Sequence, residues 1–268
     1  MKLTKRPTFG ADPEFYLGKG DLITCPDTIC PTPKTTMSVG KFGGFNRDGM
    51  ALELNPSPSE SIREVAQNLT ELLSVAGSMA MQFGWEISKS LAANVNRALN
   101  STLPQDVFQI GCDPDYNAYT GRVNKVTVDP KLYLDRFAGG HIHIGVGEIE
   151  FDEVCELVKL FDYHAGLLSV MYSDPKVALE RRKTYGRAGD FRFDAAKGII
   201  EYRTPDAGWL WVENGFTALC EKMSDALVEF RAGIRMGDSK NIITAINSCN
   251  QNMCADLLGD PFTDGEIA

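Results

Sequence analysis

At 268 residues, with 43% hydrophobic and 24% charged residues, the chain can bury one large core or a core with an appendage. Its formal net charge of −9 argues against non-specific binding to nucleic acid or to an anionic membrane, both of which favour a basic surface. No apolar run follows Met1-Lys2-Leu3-Thr4-Lys5-Arg6, so no signal peptide is expected. No stretch approaches the ~20 apolar residues of a membrane span. Seven cysteines, odd in number and irregularly spaced, suit reduced thiols and a cytoplasmic setting. The Cys25/Cys30 and Cys249/Cys254 spacings are too wide for a tight zinc knuckle.

Phe9 to Leu17 reads as a strand, and a Gly-Lys-Gly-Asp turn leads to a second at Leu22 to Cys25. Residues 26–36 form a proline-rich loop. Phe45-Asn46-Arg47-Asp48-Gly49 looks like a hairpin turn into the alternating strand Met50 to Asn55. Ile62, Val65, Leu69, Leu72, Leu73 and Ala76 keep helical spacing, predicting a helix from about Glu60 to Phe83, with Ser61-x-x-Glu64 or Ser57-x-x-Glu60 boxing its start. Residues 100–137 show little beyond an apolar run at Val107 to Ile110 and the turn chemistry of Cys112-Asp113-Pro114-Asp115.

Gly139-Gly140-His141-Ile142-His143-Ile144-Gly145 carries the most chemical information. In a strand, His141 and His143 share one face while Ile142 and Ile144 fill the other. Such a face suits a divalent metal or a phosphate, and equally two hydrogen-bonded histidines on a half-buried strand. The glycines would let a backbone or a charged ligand come close. A second helix is expected from about Asp152 to Tyr172, with His164 on its core or rim face. A basic loop at 181–192 precedes the strand Ile199 to Arg203, and from Trp209 onward the chain reads as mostly helical. No strand-helix alternation with a glycine-rich phosphate turn is present, so the expected class is α+β: an antiparallel sheet with long helices on one face.

Carboxylates recur on these strands. Asp12 and Glu14 share a face, and Glu53 and Glu201 each stand between bulky neighbours. If those faces coincide, they offer oxygen ligands suited to Mg²⁺ or Mn²⁺. The segment 181–203 holds Arg181, Arg182, Lys183, Arg187, Arg192, Lys197 and Arg203 against Asp190, Asp194 and Glu201, a local excess of four positive charges. Arginine forks match phosphate oxygens in pairs, and Gly186-Arg187-Ala188-Gly189 is flexible enough to present backbone N–H groups.

Gly10-Ala-Asp-Pro-Glu14-Phe, Asp48-Gly-Met-Ala-Leu-Glu53-Leu-Asn-Pro, Gly140-His-Ile-His143-Ile-Gly and Glu201-Tyr-Arg-Thr-Pro, in that order, resemble the phage-type carboxylate–amine ligases, a branch of the glutamine synthetase and glutamate–cysteine ligase superfamily. The resemblance spans residues 8–210. It implies a curved antiparallel sheet in a glutamine synthetase-like catalytic domain covering residues 1–268, with a helical C-terminal region at 209–268. It also implies a cytoplasmic ATP-dependent ligase, in the host cytoplasm if phage-encoded, with two or three Mg²⁺ or Mn²⁺ ions. A carboxylate would be phosphorylated, and an amine on an amino acid, peptide or protein would displace phosphate and leave an amide, with ADP as the other product.

Carried over residue by residue, Glu14, Glu53, Glu201, His141 or His143, and Asp12 would hold metal. Arg181, Arg182, Arg187 and His143 would hold ATP. Arg187, Arg192 and Arg203 would stabilise the charge of transfer. Where related ligases carry an acidic residue near 109–113, this chain has Gln109 and Asp113. Two other readings compete. His141-x-His143 followed by Glu148 copies part of a cupin metal motif, although the residues after 148 read as helix. A binding protein without chemistry would keep the same sheet.

Overall fold

The computed structural model describes residues 2–100, 102–108, 115–124, 133–237 and 239–259, of residues 2–5 the backbone alone. Strands β1 (Lys2–Ala11), β2 (Glu14–Lys19), β3 (Leu22–Thr24), β4 (Met37–Ser38), β5 (Gly43–Asp48) and β6 (Ala51–Pro56) lead into helix α1 (Ile62–Gln82). Next come β7 (Glu86–Ser88), β8 (Ala92–Asn94), β9 (Tyr116–Asn117), β10 (Arg122–Val123), β11 (Asp135–Phe137) and β12 (Ile142–Glu148). They are followed by α2 (Phe151–Phe161), α3 (Leu167–Tyr172) and α4 (Pro175–Arg181). Strands β13 (Asp190–Asp194) and β14 (Ile199–Tyr202) precede α5 (Gly215–Arg231), α6 (Lys240–Asn247) and α7 (Gln251–Leu258).

The class is α+β, with antiparallel ladders in two large curved sheets and a small β11-β8 pair among the described residues. One sheet runs β1-β12-β14-β13-β9-β10, and the other β3-β2-β6-β5-β4 with β7 beside β2. The strand expected from Phe9 to Leu17 is broken where Pro13 removes a donor and fixes φ. There the chain passes from the first sheet to the second. Asp12 N still bonds His141 O (3.2 Å) and Glu14 N bonds Gly139 O (2.8 Å), while Pro13 O accepts from Leu54 N on β6 (3.0 Å). Asp12 thus stands where the sheets meet.

Alternation then sorts the strands by face. Ile142, Ile144 and Val146 of β12, Ile200 and Tyr202 of β14, and Leu52 and Leu54 of β6 are buried with Val65, Leu69 and Leu72 of α1, Val154, Leu157 and Val158 of α2, and Leu219, Met223 and Leu227 of α5 in one core. Helix α5 of the C-terminal region therefore shares the core with the strands.

Ser61 caps α1 by accepting from Glu64 N (3.3 Å), but the Glu64 carboxylate takes the Ser59 hydroxyl (2.5 Å) and the reciprocal half of the box is not made. The helix expected at 152–172 contains a π-turn over Asp162–Gly166. That wider turn carries the fully buried Asp162, whose carboxylate accepts from Tyr202 Oη (2.6 Å), Tyr119 Oη (2.9 Å) and Thr204 Oγ1 (3.2 Å). Strand β13 replaces the end of the expected basic loop, and its Asp-Phe-Arg-Phe-Asp alternation is the signal for it. Gln109 and Asp113 lie outside the described residues. No described helix is long and apolar enough to cross a membrane, and Cys25, Cys30, Cys155, Cys220, Cys249 and Cys254 are free and buried.

Candidate active site

Strand register builds the site. Across the first sheet Gly10 faces His143, His143 faces Glu201, and Glu201 faces Arg192. Across the second, Glu14 faces Glu53 and Glu53 faces Asn46. Directly opposed residues on one face have neighbouring side chains, so each row becomes a cluster. The face opposite the helix-packed core therefore gathers Asp12, Glu14, Glu53, His141, His143 and Glu201. All six expected metal-ligand residues are brought together.

Five of them, together with Asp48, form two triads. Ligand atoms of Asp12, His143 and Glu201 lie within 4.8 Å of one another, and those of Glu14, Asp48 and Glu53 do likewise. His141 sits at the junction. Its Nδ1 is 3.1 Å from Asp12 Oδ1 and 3.5 Å from Glu201 Oε1. Its Nε2 runs alongside Gly139, where an added Cβ would fall 3.0 Å from Nε2 and 3.5 Å from Glu14 Oε2. Gly139 therefore makes room for the chain's own imidazole, and its N–H donates to Glu14 Oε2 (2.7 Å). His143 Nε2 reaches Asp12 Oδ2 at 3.3 Å.

The electrostatics divide the triads. Asp12 is buried, which alone would raise its pKa, yet the His141 and His143 imidazoles hold it well below the usual carboxylate range. Burial opposes a charge on His143, but the Asp12 carboxylate outweighs it and lifts His143 to about 9. Burial and the Arg203 guanidinium lower His141. Burial and Asp12 push Glu201 up, while His141, Arg203 and Arg192 outweigh them and leave it lowered. In the second triad the shifts run upward. Glu14 is raised by burial and by Asp48 and Glu53, and Glu53 is pushed to about 8 by burial, Asp12 and Asp48.

Arg192 and Arg203 complete the face. Arg192 NH1 lies 3.3 Å from Glu201 Oε1, and Arg203 pairs with the same oxygen while its Nε stands 3.4 Å from Asp115 Oδ2. The other arginines of the basic segment make different contacts. Arg181 is buried and donates to the carbonyls of Thr204 (2.9 Å), Arg203 (3.0 Å) and Pro205 (2.9 Å). Arg182 NH1 is spent on Cys249 Sγ (2.8 Å). Arg187 Nε and NH2 bond the carbonyls of Arg182 (2.8 Å) and Lys183 (3.0 Å). The backbone of the glycine-flanked loop is also committed, with Arg187 N on Asp190 Oδ2 (2.8 Å) and Ala188 N on Asn247 Oδ1 (2.9 Å). Burying this loop requires such partners for its polar groups.

His164 lies on the helical side, with Nε2 2.9 Å from Glu229 Oε2 on α5. Two residues of the site went unselected in the sequence. Asp48 was visible only as part of the Asp48-to-Glu53 motif; hairpin register puts it on the same face as Asn46, opposite Glu53. Asp115 meets Arg203 through tertiary contact alone and has no local signal.

Residues 132–221 match the family described as phage phiEco32-like COOH.NH2 ligase-type 2. The resemblance is thus shown over a segment holding the His141–His143 and Glu201–Pro205 motifs; the Gly10 and Asp48 motifs precede it. No curated protein matches the chain. Among solved structures the chain is similar to GmaS/ADP complex-Conformation 1, at 13% identity and TM-score 0.47, over 95% of this chain and 64% of that one. This chain therefore spans less than two thirds of that structure's length.

Proposed function

We propose that this protein is an ATP-dependent carboxylate–amine ligase that works through an acyl phosphate and releases ADP and phosphate. One observation carries the reading: acidic and histidine ligand groups lie in two adjacent triads, with Arg192 and Arg203 paired to the carboxylate of one of them. The carboxylate–amine ligase description of the family matched by residues 132–221 supports the reaction class.

The donor set fits Mg²⁺ or Mn²⁺. His141 Nε2 is buried and accepts no hydrogen bond, and burial together with the neighbouring carboxylates raises Glu14 and Glu53. Glu14, Glu53 and Asp48 would hold ions on one side, and Asp12, Glu201 and His143 on the other, with His141 between them. His143 must lose its proton to ligate, so binding there releases a proton. Bound ions would neutralise phosphate oxygens.

The chain's own contribution is placement. Arg203 and Arg192 present donors beside Glu201, where paired N–H groups stabilise charge developing on a transferred phosphoryl group. His141, lowered by burial and by Arg203, stays neutral at pH 7 and can accept a hydrogen bond or ligate. A glutamine synthetase-like catalytic domain is the architecture this reading assigns to the chain.

The test has two parts. ATP with Mn²⁺ should raise the melting midpoint more than either alone. A screen of amino acids and peptides should find amine-dependent release of phosphate with ADP as the nucleotide product. AMP as the stoichiometric product would reject the acyl-phosphate route even if a ligase activity were found.

A further inference from the structure

We propose that Tyr185 is a positioning residue that fixes the direction of the Arg203 guanidinium, with Arg181 as its support. The inference rests on the reading that Arg203 serves the phosphate side of the site.

Arg203 pairs with acidic residues on different elements, Glu201 on β14 and Asp115 before β9. Its side chain is 5% exposed, so it is directed by protein contacts rather than by water. The aromatic neighbour is Tyr185, whose ring centroid lies 5.5 Å from the Arg203 guanidinium carbon and 4.4 Å from that of Arg181. The π-face attracts both cations, which lets two like charges share one neighbourhood. The ring is itself fixed: its hydroxyl donates to Phe137 O (3.0 Å), and the His141 ring packs edge-on at 6.1 Å.

Arg181 locks the other end. Its fork grips the carbonyls of Arg203, Thr204 and Pro205, so the backbone that carries the Arg203 side chain is held by the residue that also stacks on Tyr185. The loop is shaped around this contact. Gly186 has φ +77°, and a Cβ there would fall 1.9 Å from Arg181 NH1. Tyr185 thus connects His141, Arg203 and Arg181, while its own hydroxyl is committed away from any substrate. Its effect on terminal-phosphate contacts is read through Arg203, whose guanidinium it faces.

The test compares binding of the β,γ-imido analogue of ATP with binding of ADP, each with Mn²⁺, to the full chain. The ratio reports contacts to the terminal phosphate; general loosening of the fold would weaken both ligands alike. The native chain should prefer the triphosphate. Arg203→Lys and Tyr185→Leu should each reduce that preference roughly tenfold, the scale of one charge-assisted hydrogen bond. Tyr185→Phe should retain it, because the ring is kept. Combining Tyr185→Leu with Arg203→Lys should cost little more than Arg203→Lys alone. An unchanged preference in Tyr185→Leu, or losses that multiply in the double variant, would overturn the inference.

A native chain with no triphosphate preference would instead sink the phosphate reading. The Tyr185–Arg203 coupling would then be judged by a double-mutant cycle in urea unfolding, where additivity overturns it and coupling supports it. Tyr185→Met carries the same comparison if the leucine variant does not fold.

Discussion

The two ends of the basic segment 181–203 look alike in sequence and do opposite things. At its start, Arg181, Arg182 and Arg187 turn their donors onto loop carbonyls and a buried thiol. At its end, Arg192 and Arg203 stand on the face that holds Glu201. The difference lies in what surrounds each arginine. A buried loop leaves carbonyls in need of partners, and a guanidinium with five donors satisfies several at once. A strand position with carboxylates in the neighbouring rows draws the same side chain into an ion pair. Local charge counts both kinds equally.

The comparison breaks most sharply at β14, where side chains alternate between the two roles. Glu201→Gln and Arg203→Lys should each lower turnover on the order of 10²-fold or more while leaving the fold intact, since Gln keeps the shape and Lys keeps the charge. Normal turnover in either folded variant would remove the pair from the site. Tyr202, on the reverse face and fully buried, should behave in the opposite way. Tyr202→Ala should cost about 3 kcal/mol or more in urea unfolding through lost packing and the loss of its bond to Asp162. A loss well under 1 kcal/mol would show that this face contributes little to stability.

Asp162 adds a pH signature beneath the same strand. Burial raises its carboxyl from 3.8 to about 7, against the hydrogen bonds from Tyr202, Tyr119 and Thr204. The folded state therefore binds the proton more tightly than the unfolded chain. Stability should fall as pH rises through the window from about 4 to about 7 and level off above it, by up to about 4 kcal/mol in all. Asp162→Asn should flatten that part of the curve. An unchanged slope in the variant would assign the pH dependence elsewhere.

Smaller effects sharpen the contrast among the arginines. Arg181→Lys keeps a charge but cannot reach three carbonyls as a fork, and should cost about 2 kcal/mol of stability. Arg187→Ala removes two bonds within a partly exposed loop and should cost about 0.5 kcal/mol, with triphosphate binding unchanged. A large loss of triphosphate binding in Arg187→Ala, with its fold retained, would return that residue to the site.

Much of this was legible in the chain. The period-2 pattern of Ile142-His143-Ile144 and Ile200-Glu201-Tyr202 fixes which residues share a face, because the side-chain direction in a strand follows from backbone geometry alone. The 3.6-residue spacing of Val65, Leu69, Leu72 and Ala76 likewise specifies α1, since burying one stripe requires that period. The candidate site residues on these strands are therefore identifiable one strand at a time, and Asp48 is within reach through hairpin register.

Tertiary structure decided which faces meet and which charges find each other. No local rule says that the chain passes between sheets at Asp12-Pro13, that Asp115 reaches Arg203, or that Arg181 turns inward to the carbonyls of 203–205. These depend on long-range pairing, where the gain from satisfying a buried polar group is set by neighbours distant in sequence. The π-turn at Asp162 follows the same logic: the helix pattern specified the apolar stripe, and the hydroxyls of Tyr119, Tyr202 and Thr204 decided where a buried carboxylate could stand.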